Sequence, residues 1–117
     1  MVNLDGLEMH VTSTAANGVV GSGTRLHFVQ RGCRVVARYS GGAVARGWLA
    51  GRVTGSELVF RYAQREQSGA IHGGRSVCQV ERLGNGRTRI IEHFTWRTRS
   101  GSGTNVFDEC ASRGRRR

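Results

Sequence analysis

Glu92 is the residue of this sequence whose type and setting best suit acid–base chemistry. It lies between Ile90 and Phe94 in the alternating segment 87–97, so a strand there turns its carboxyl group to the apolar side that Trp96 shares. Burial raises the pKa of a carboxyl group because the charged form loses its hydration. Such a group can act as a general acid or base or anchor a ligand. The structural alternative is an ion pair with an inward arginine, or a solvated position near a strand end.

Aromatic residues recur on the strand side opposite the arginines. A small barrel that is simply packed would use aliphatic residues there, whereas an apolar wall with a few polar groups is typical of a binding pocket. A plain core is the alternative interpretation for each aromatic residue. The predicted ligand-binding residues are Phe28, Tyr39, Phe60, Tyr62, Glu92, Phe94 and Trp96.

Several kinds of chemistry are excluded by the residues that are missing. The chain has no lysine, which Schiff-base enzymes, pyridoxal phosphate enzymes and P-loops require. Its three cysteines form no C-x-x-C pair, so neither a zinc ribbon nor a thioredoxin-type centre is possible. The four histidines show no H-x-H or H-E-x-x-H spacing. We therefore predict no metal and no cofactor.

The charge of the chain is concentrated at its end. The formal net charge is +10, and four of the 18 arginines lie in residues 113–117, which we predict to be a disordered tail behind a barrel domain of residues 1–112. We do not predict nucleic acid as a partner, because the arginines and the aromatic residues fall on opposite faces of the strands. The first residues lack a signal peptide and no apolar run reaches the roughly 20 residues of a membrane span, so we predict a cytoplasmic protein without membrane contact.

The elements that position these side chains are short strands. Glycine-rich turns recur about every ten residues and alternate with segments of period two, which predicts eight strands. Their short connections favour an all-β fold, a single antiparallel up-and-down barrel, over a β-sandwich. The predicted turns are Asn17-Gly18, Arg31-Gly32, Ser40-Gly41-Gly42, Gly55-Ser56, Gly69 through Gly74, Gly84-Asn85-Gly86 and Ser100-Gly101-Ser102-Gly103.

The inward side of three segments stays open. In 44–53 either Val44, Trp48 and Ala50 or the set with Leu49 and Val53 points inward, and segments 75–82 and 104–111 are equally ambiguous. An outward Trp48 would favour a homodimer.

Four stretches of the chain resemble a group of small bacterial proteins that carry the name N-acetylglutamate synthase. They are Tyr39-Ser-Gly-Gly42, Gly47-Trp-Leu-Ala-Gly51, Leu58-Val-Phe-Arg-Tyr62 and the stretch from Asn85 to Trp96. The nearest matches to the pyrophosphate loop of acetyltransferases place Glu81 and Thr98 where that loop carries Arg or Gln, and strands follow instead of a helix. Acetyl transfer is therefore not predicted.

The architecture also resembles the calycin group, and this resemblance implies the binding of a small hydrophobic molecule. A few calycin-like barrels act as cyclases or isomerases. Our first hypothesis is therefore a small-molecule-binding barrel. The second is a cofactor-free cyclase or isomerase in which Glu92, with Tyr62 or Tyr39, supplies the acid–base groups. The third is a nucleic-acid-binding barrel.

Overall fold

The computed structural model describes residues 1–16 and 18–111, and this part of the chain forms eight strands. The strands are β1 (Glu8–Ser13), β2 (Arg25–Arg31), β3 (Arg34–Gly41), β4 (Val44–Thr54), β5 (Glu57–Glu66), β6 (Ile71–Arg82), β7 (Thr88–Trp96) and β8 (Ser102–Glu109). Asn17 of the first predicted turn and the predicted tail lie outside the described residues. No helix in the described ranges is long and apolar enough to cross a membrane.

The eight strands close into one antiparallel barrel. Each strand pairs with the next along the chain, and β8 pairs back with β1 through register pairs such as Val11 with Phe107. Closure gives each of these strands two neighbours, which is how a barrel protects its sheet edges. The predicted up-and-down barrel is confirmed.

The turn predicted from Gly69 to Gly74 is too long. The connection occupies only residues 67–70, and β6 begins at Ile71. Gly73 and Gly74 pair with Ala63 and Tyr62 of β5 and are extended. Neighbouring atoms in the barrel leave no room for a side chain at these two positions. The spacing of glycines in the sequence does not distinguish such a glycine from one in a turn.

The interior of the barrel differs between its two ends. We call the end that carries connections 14–24, 42–43, 67–70 and 97–101 the upper end. The lower half is filled by aliphatic side chains, and the N-terminal segment covers its opening with the fully buried Leu4. The upper half holds the polar and most of the aromatic side chains. A site that uses polar side chains of the interior is therefore confined to that half.

The structure decides the three segments whose inward side the alternation leaves open. A bulge between Val44 and Arg46 shifts the register of β4, so that Val44 and Leu49 both face inward and Trp48 faces outward. No sequence parity rule predicts such a bulge. The inward residues are Val44, Leu49 and Val53 in β4, Ser76, Cys78 and Val80 in β6, and Asn105 and Phe107 in β8.

Candidate functional site

A cavity of about 30 Å³ lies in the upper half of the barrel. Its walls are inward side chains of β2, β3, β4, β5, β7 and β8, and residues 18–20 of the connection between β1 and β2 cover it. That volume has room for about two water molecules, and it is far below the roughly 300 Å³ at which small-molecule pockets begin. The inside of the barrel is therefore mostly filled by its own side chains.

Glu92 lies on the wall of this cavity and is bound by two polar side chains. The Ser76 hydroxyl donates a hydrogen bond to Oε2 at 2.6 Å, and Asn105 Nδ2 donates one to Oε1 at 2.9 Å. Burial raises the pKa of Glu92, and these two hydrogen bonds oppose that effect without reversing it. No arginine in the described residues forms an ion pair with Glu92, so the predicted structural alternative of an inward arginine is wrong there. Its environment favours the neutral carboxylic acid.

Asn105 connects Glu92 to the connection that covers the cavity. Its side-chain oxygen accepts hydrogen bonds from the Thr14 hydroxyl at 3.0 Å and from the Ala15 backbone N–H at 3.2 Å. The amide nitrogen of the same side chain is the donor to Glu92. The oxygen and the nitrogen of one amide group are thus both hydrogen-bonded. A shift of the connection would therefore move the donor that binds the carboxyl group of Glu92.

The aromatic wall is built around Tyr62 and Trp96. Their rings meet edge to face with centroids 5.5 Å apart, and Phe94 and Phe60 extend the contact on either side. The Tyr62 hydroxyl is buried and has no hydrogen-bond partner among the described residues. Any Cβ at Gly74 would overlap this hydroxyl, so only glycine leaves it room. An unpaired hydroxyl at a cavity wall is the kind of group that a ligand can satisfy.

A chain of polar contacts runs from the aromatic wall to the rim. The Tyr39 hydroxyl donates to Gln64 Oε1 at 2.9 Å, and Gln64 Nε2 donates to Glu66 at 3.1 Å. Arg99 donates to both Glu66 oxygens at 2.9 Å and lies 4.6 Å from the centre of the Trp96 ring. Partial burial raises the pKa of Glu66, but the hydrogen bonds from Arg99 and Gln64 lower it below its ordinary value.

The structure brings six of the seven predicted site residues to the cavity wall. Phe28 is buried in the middle of β2 but is not among the lining residues. Gln64, Asn105 and the covering connection were not predicted from the sequence. Gln64 follows Tyr62 by two residues and so shares its side, a signal that was present. Asn105 lies in a segment whose parity the sequence leaves open.

The cysteines lie in different environments: Cys110 Sγ lies 3.4 Å from His10 Nδ1, whereas Cys78 lies in the core. Cys78 is buried, and burial together with the nearby Glu92 raises the pKa of its thiol. All three cysteines are free. No group of three potential metal ligands occurs in the part of the chain that the structure describes. Cys78 therefore acts as a small apolar side chain of the core.

The comparisons with known proteins add the family. The sequence pattern of the family described as avidin-like protein matches residues 2–110, nearly the whole chain. The chain belongs to the avidin-like family. Avidin-like barrels are calycin-like, bind small molecules and often form oligomers, so the coarse prediction of a calycin-like barrel for small molecules holds. No curated protein and no solved structure matches this avidin-like chain.

Proposed function

We propose that this protein binds a small uncharged molecule in the upper half of its barrel, between the aromatic wall and Glu92. The observation that carries the proposal is the unpaired Tyr62 hydroxyl in a cavity whose wall also includes the buried carboxyl group of Glu92. A buried hydroxyl without a partner costs free energy, which a hydrogen-bond acceptor on a ligand would recover. Membership of the avidin-like family supports binding of a small molecule as such.

The walls also define the kind of ligand. The rings of Tyr62, Phe94 and Trp96 favour a flat or compact apolar body. Burial disfavours the charged form of Glu92, and in its neutral form this side chain presents polar atoms without a charge. A ligand with one carbonyl-like acceptor and few other polar atoms matches both features, whereas an anionic ligand would find no cationic side chain on the described wall of the cavity.

A ligand larger than about two water molecules requires movement of residues 18–20, because they cover the cavity. Val19 and Val20 are partly buried against the core, and the hydrogen bonds from Thr14 and Ala15 to Asn105 hold the same connection. Entry at this end leaves the barrel wall intact. We propose this opening as the entry route.

Saturation-transfer NMR with a library of uncharged fragments of up to about ten non-hydrogen atoms tests the binding. Fragments that bind the wild type should lose their signal with Trp96→Leu and weaken about five- to tenfold with Tyr62→Phe, which removes one hydrogen bond. The matched control is Trp48→Ala, a tryptophan on the outer surface that should leave fragment binding unchanged. Fragments that bind Trp96→Leu as tightly as the wild type would contradict the proposed site.

A second candidate function uses the same cavity for acid–base catalysis of the cyclase or isomerase type, without a cofactor. The observation that favours it is that Glu92, a proton donor in its neutral form, lies on the cavity wall. Glu92→Gln separates the two functions. In a binding protein this variant should keep fragment affinity, and in an enzyme it should abolish turnover of any bound compound that the wild type converts.

A further inference from the structure

The outer surface of β3–β6 carries arginines that lie directly opposite one another. We call this surface the arginine face; its members are Arg34, Arg38, Arg46, Arg52, Arg61, Arg65 and Arg75. The strand registers pair Arg34 with Arg52, Arg46 with Arg65, and Arg61 with Arg75. All seven are exposed, and none of them is in an ion pair among the described residues. Like charges in opposed positions destabilise a sheet, so the face carries a cost that an anion would relieve.

On the opposite side of the barrel, an arginine lies opposite carboxylates and not opposite another arginine. A row of register pairs runs from Glu81 through Arg89 to Asp108, across β6, β7 and β8, and alternates in charge. Arg89 donates to Asp108 at 2.7 Å within that row. The surplus of positive charge is therefore concentrated on the arginine face and is not a uniform property of the surface.

An aromatic side chain lies among these arginines. Trp48 is 49% exposed and directly opposite Arg38 in the register, and Arg46 lies 5.9 Å from the centre of its ring. It lines an outer groove of about 580 Å³ with the exposed apolar residues Val29 and Val36. The sequence-based prediction was against nucleic acid because the arginines had no aromatic residues beside them. The outward position of Trp48 removes that objection.

We propose that the arginine face binds single-stranded nucleic acid, with phosphates at the opposed arginine pairs and a base stacked on Trp48. Basic surfaces interleaved with exposed aromatic rings bind unpaired strands in this way, because every base has a face that can stack. Guanidinium groups also form two hydrogen bonds at once to a phosphate. This function is separate from ligand binding inside the barrel.

A second copy of the chain is the competing occupant of the groove. A two-fold contact centred on Trp48 brings the same surface of both copies together. Arg38 and Arg61 line the groove, and in such a dimer they would lie against the arginines of the other copy, with no carboxylate among the described lining residues to offset them. Of the three glutamates in β3–β6, Glu66 is bonded to Arg99, and Glu57 and Glu81 lie near the lower end of the barrel. The charge therefore favours a polyanion over self-association.

Fluorescence anisotropy of a labelled oligothymidylate of about 16 nucleotides tests the proposal on the full chain. Binding should weaken steeply between about 50 and 200 mM salt. The variant Arg61→Gln/Arg75→Gln should flatten the logarithmic salt dependence by about 0.7 for each phosphate that is no longer neutralised. The matched control, Arg82→Gln/Arg87→Gln, removes the same charge at the lower end of the barrel and should leave the slope unchanged.

Trp48→Ala should weaken the oligothymidylate about five- to hundredfold, and Trp48→Phe should retain most of the affinity, since phenylalanine still stacks. A duplex of the same length should be insensitive to Trp48→Ala because its bases are already stacked. A chain in which Arg113, Arg115, Arg116 and Arg117 are replaced by Gln controls for the tail and should keep the effect of Trp48→Ala. Thermal unfolding confirms that each variant is folded.

Four results would overturn the proposal. The first is an equal loss of binding in the face variant and its lower-end control, and the second is binding that depends only on the tail arginines. The third is sedimentation equilibrium that shows a dimer disrupted by Trp48→Ala, with oligothymidylate binding unchanged. The fourth is binding to phosphatidylserine vesicles with none to the oligonucleotide.

Discussion

At the scale of single residues, Glu92 shows how a carboxyl group is kept inside an apolar barrel. An unpaired buried charge would be very costly, and no arginine reaches the group in the described structure. Instead, Ser76 and Asn105 satisfy its two oxygens, and burial favours its neutral form. In that form the carboxyl O–H can donate to the serine oxygen while the other oxygen accepts from the amide. The site is therefore polar, and its environment disfavours a charge on Glu92.

Glu92→Gln should remove a pH dependence of stability. The unfolded chain releases the Glu92 proton near its ordinary pKa of 4.5 and the folded chain only at higher pH. The contribution of Glu92 is therefore complete below pH 4.5 and is lost as the pH rises toward the folded pKa, at up to about 1.4 kcal/mol per pH unit. Glutamine can still accept from Asn105 through its oxygen and can donate its amide N–H to the Ser76 oxygen. Because it does not ionise, the free energy of unfolding of this variant should exceed that of the wild type at higher pH.

Urea unfolding between about pH 5 and pH 8 measures this difference. Glu57→Gln, which removes an exposed carboxylate at the start of β5, is the control and should follow the wild-type curve. A Glu92→Gln curve that falls in parallel with the wild type would show that Glu92 is ionised in the folded protein.

At the scale of elements, glycines in the strands make room for the aromatic wall. Gly47 of β4 lies opposite Tyr39 of β3 in the register, and a Cβ at Gly47 would overlap the tyrosine ring. The ring therefore lies flat against the neighbouring strand, from where its hydroxyl reaches Gln64. The close neighbour that requires glycine at this position is therefore a side chain.

Gly47→Ala should lower the free energy of unfolding by about 1–3 kcal/mol, because the Tyr39 ring must leave its position in a packed interior. Gly84→Ala is the matched control: nothing lies within 4 Å of its Cβ position, and its backbone is compatible with alanine. Chemical denaturation measures both variants. Equal stability of Gly47→Ala and Gly84→Ala would mean that the upper half of the barrel repacks freely.

At the scale of the whole molecule, closure of the barrel is uneven. β1 pairs with β2 through only three register pairs, whereas β4 and β5 share a continuous ladder along nearly their whole length. The connection 14–24 follows β1, so the weakest pairing lies beside the part that covers the cavity. Opening of the upper end can therefore begin without disturbing the long strands.

Hydrogen exchange of the wild-type protein should follow this asymmetry. Amides of β1 should exchange faster than those of β4 and β5, because local opening of a short ladder costs less than global unfolding. Mass spectrometry of peptides that cover 8–13 and 44–66 measures the two rates. Equal protection of both regions would show that the barrel opens only as a whole.

The sequence by itself determined the barrel. Glycine turns and period-two alternation depend on backbone conformation and on burial of one strand face, and both are local properties. They predicted eight strands, the outward arginines, and the inward positions of Glu92 and the aromatic residues. Alternation did not predict the inward side of β4, because a bulge shifts its register and depends on the pairing with the neighbouring strand. The exposure of Trp48 therefore stayed undecided.

Only the tertiary structure decided what surrounds these residues. The partners of Glu92 come from β6 and β8, the cover of the cavity comes from the connection after β1, and the opposed arginines come from separate strands. Each of these contacts depends on the register between strands, which no single strand contains. The chain therefore specified a carboxyl group inside a barrel, and the register gave it two hydrogen-bond donors and a place in the same cavity wall as an unpaired hydroxyl.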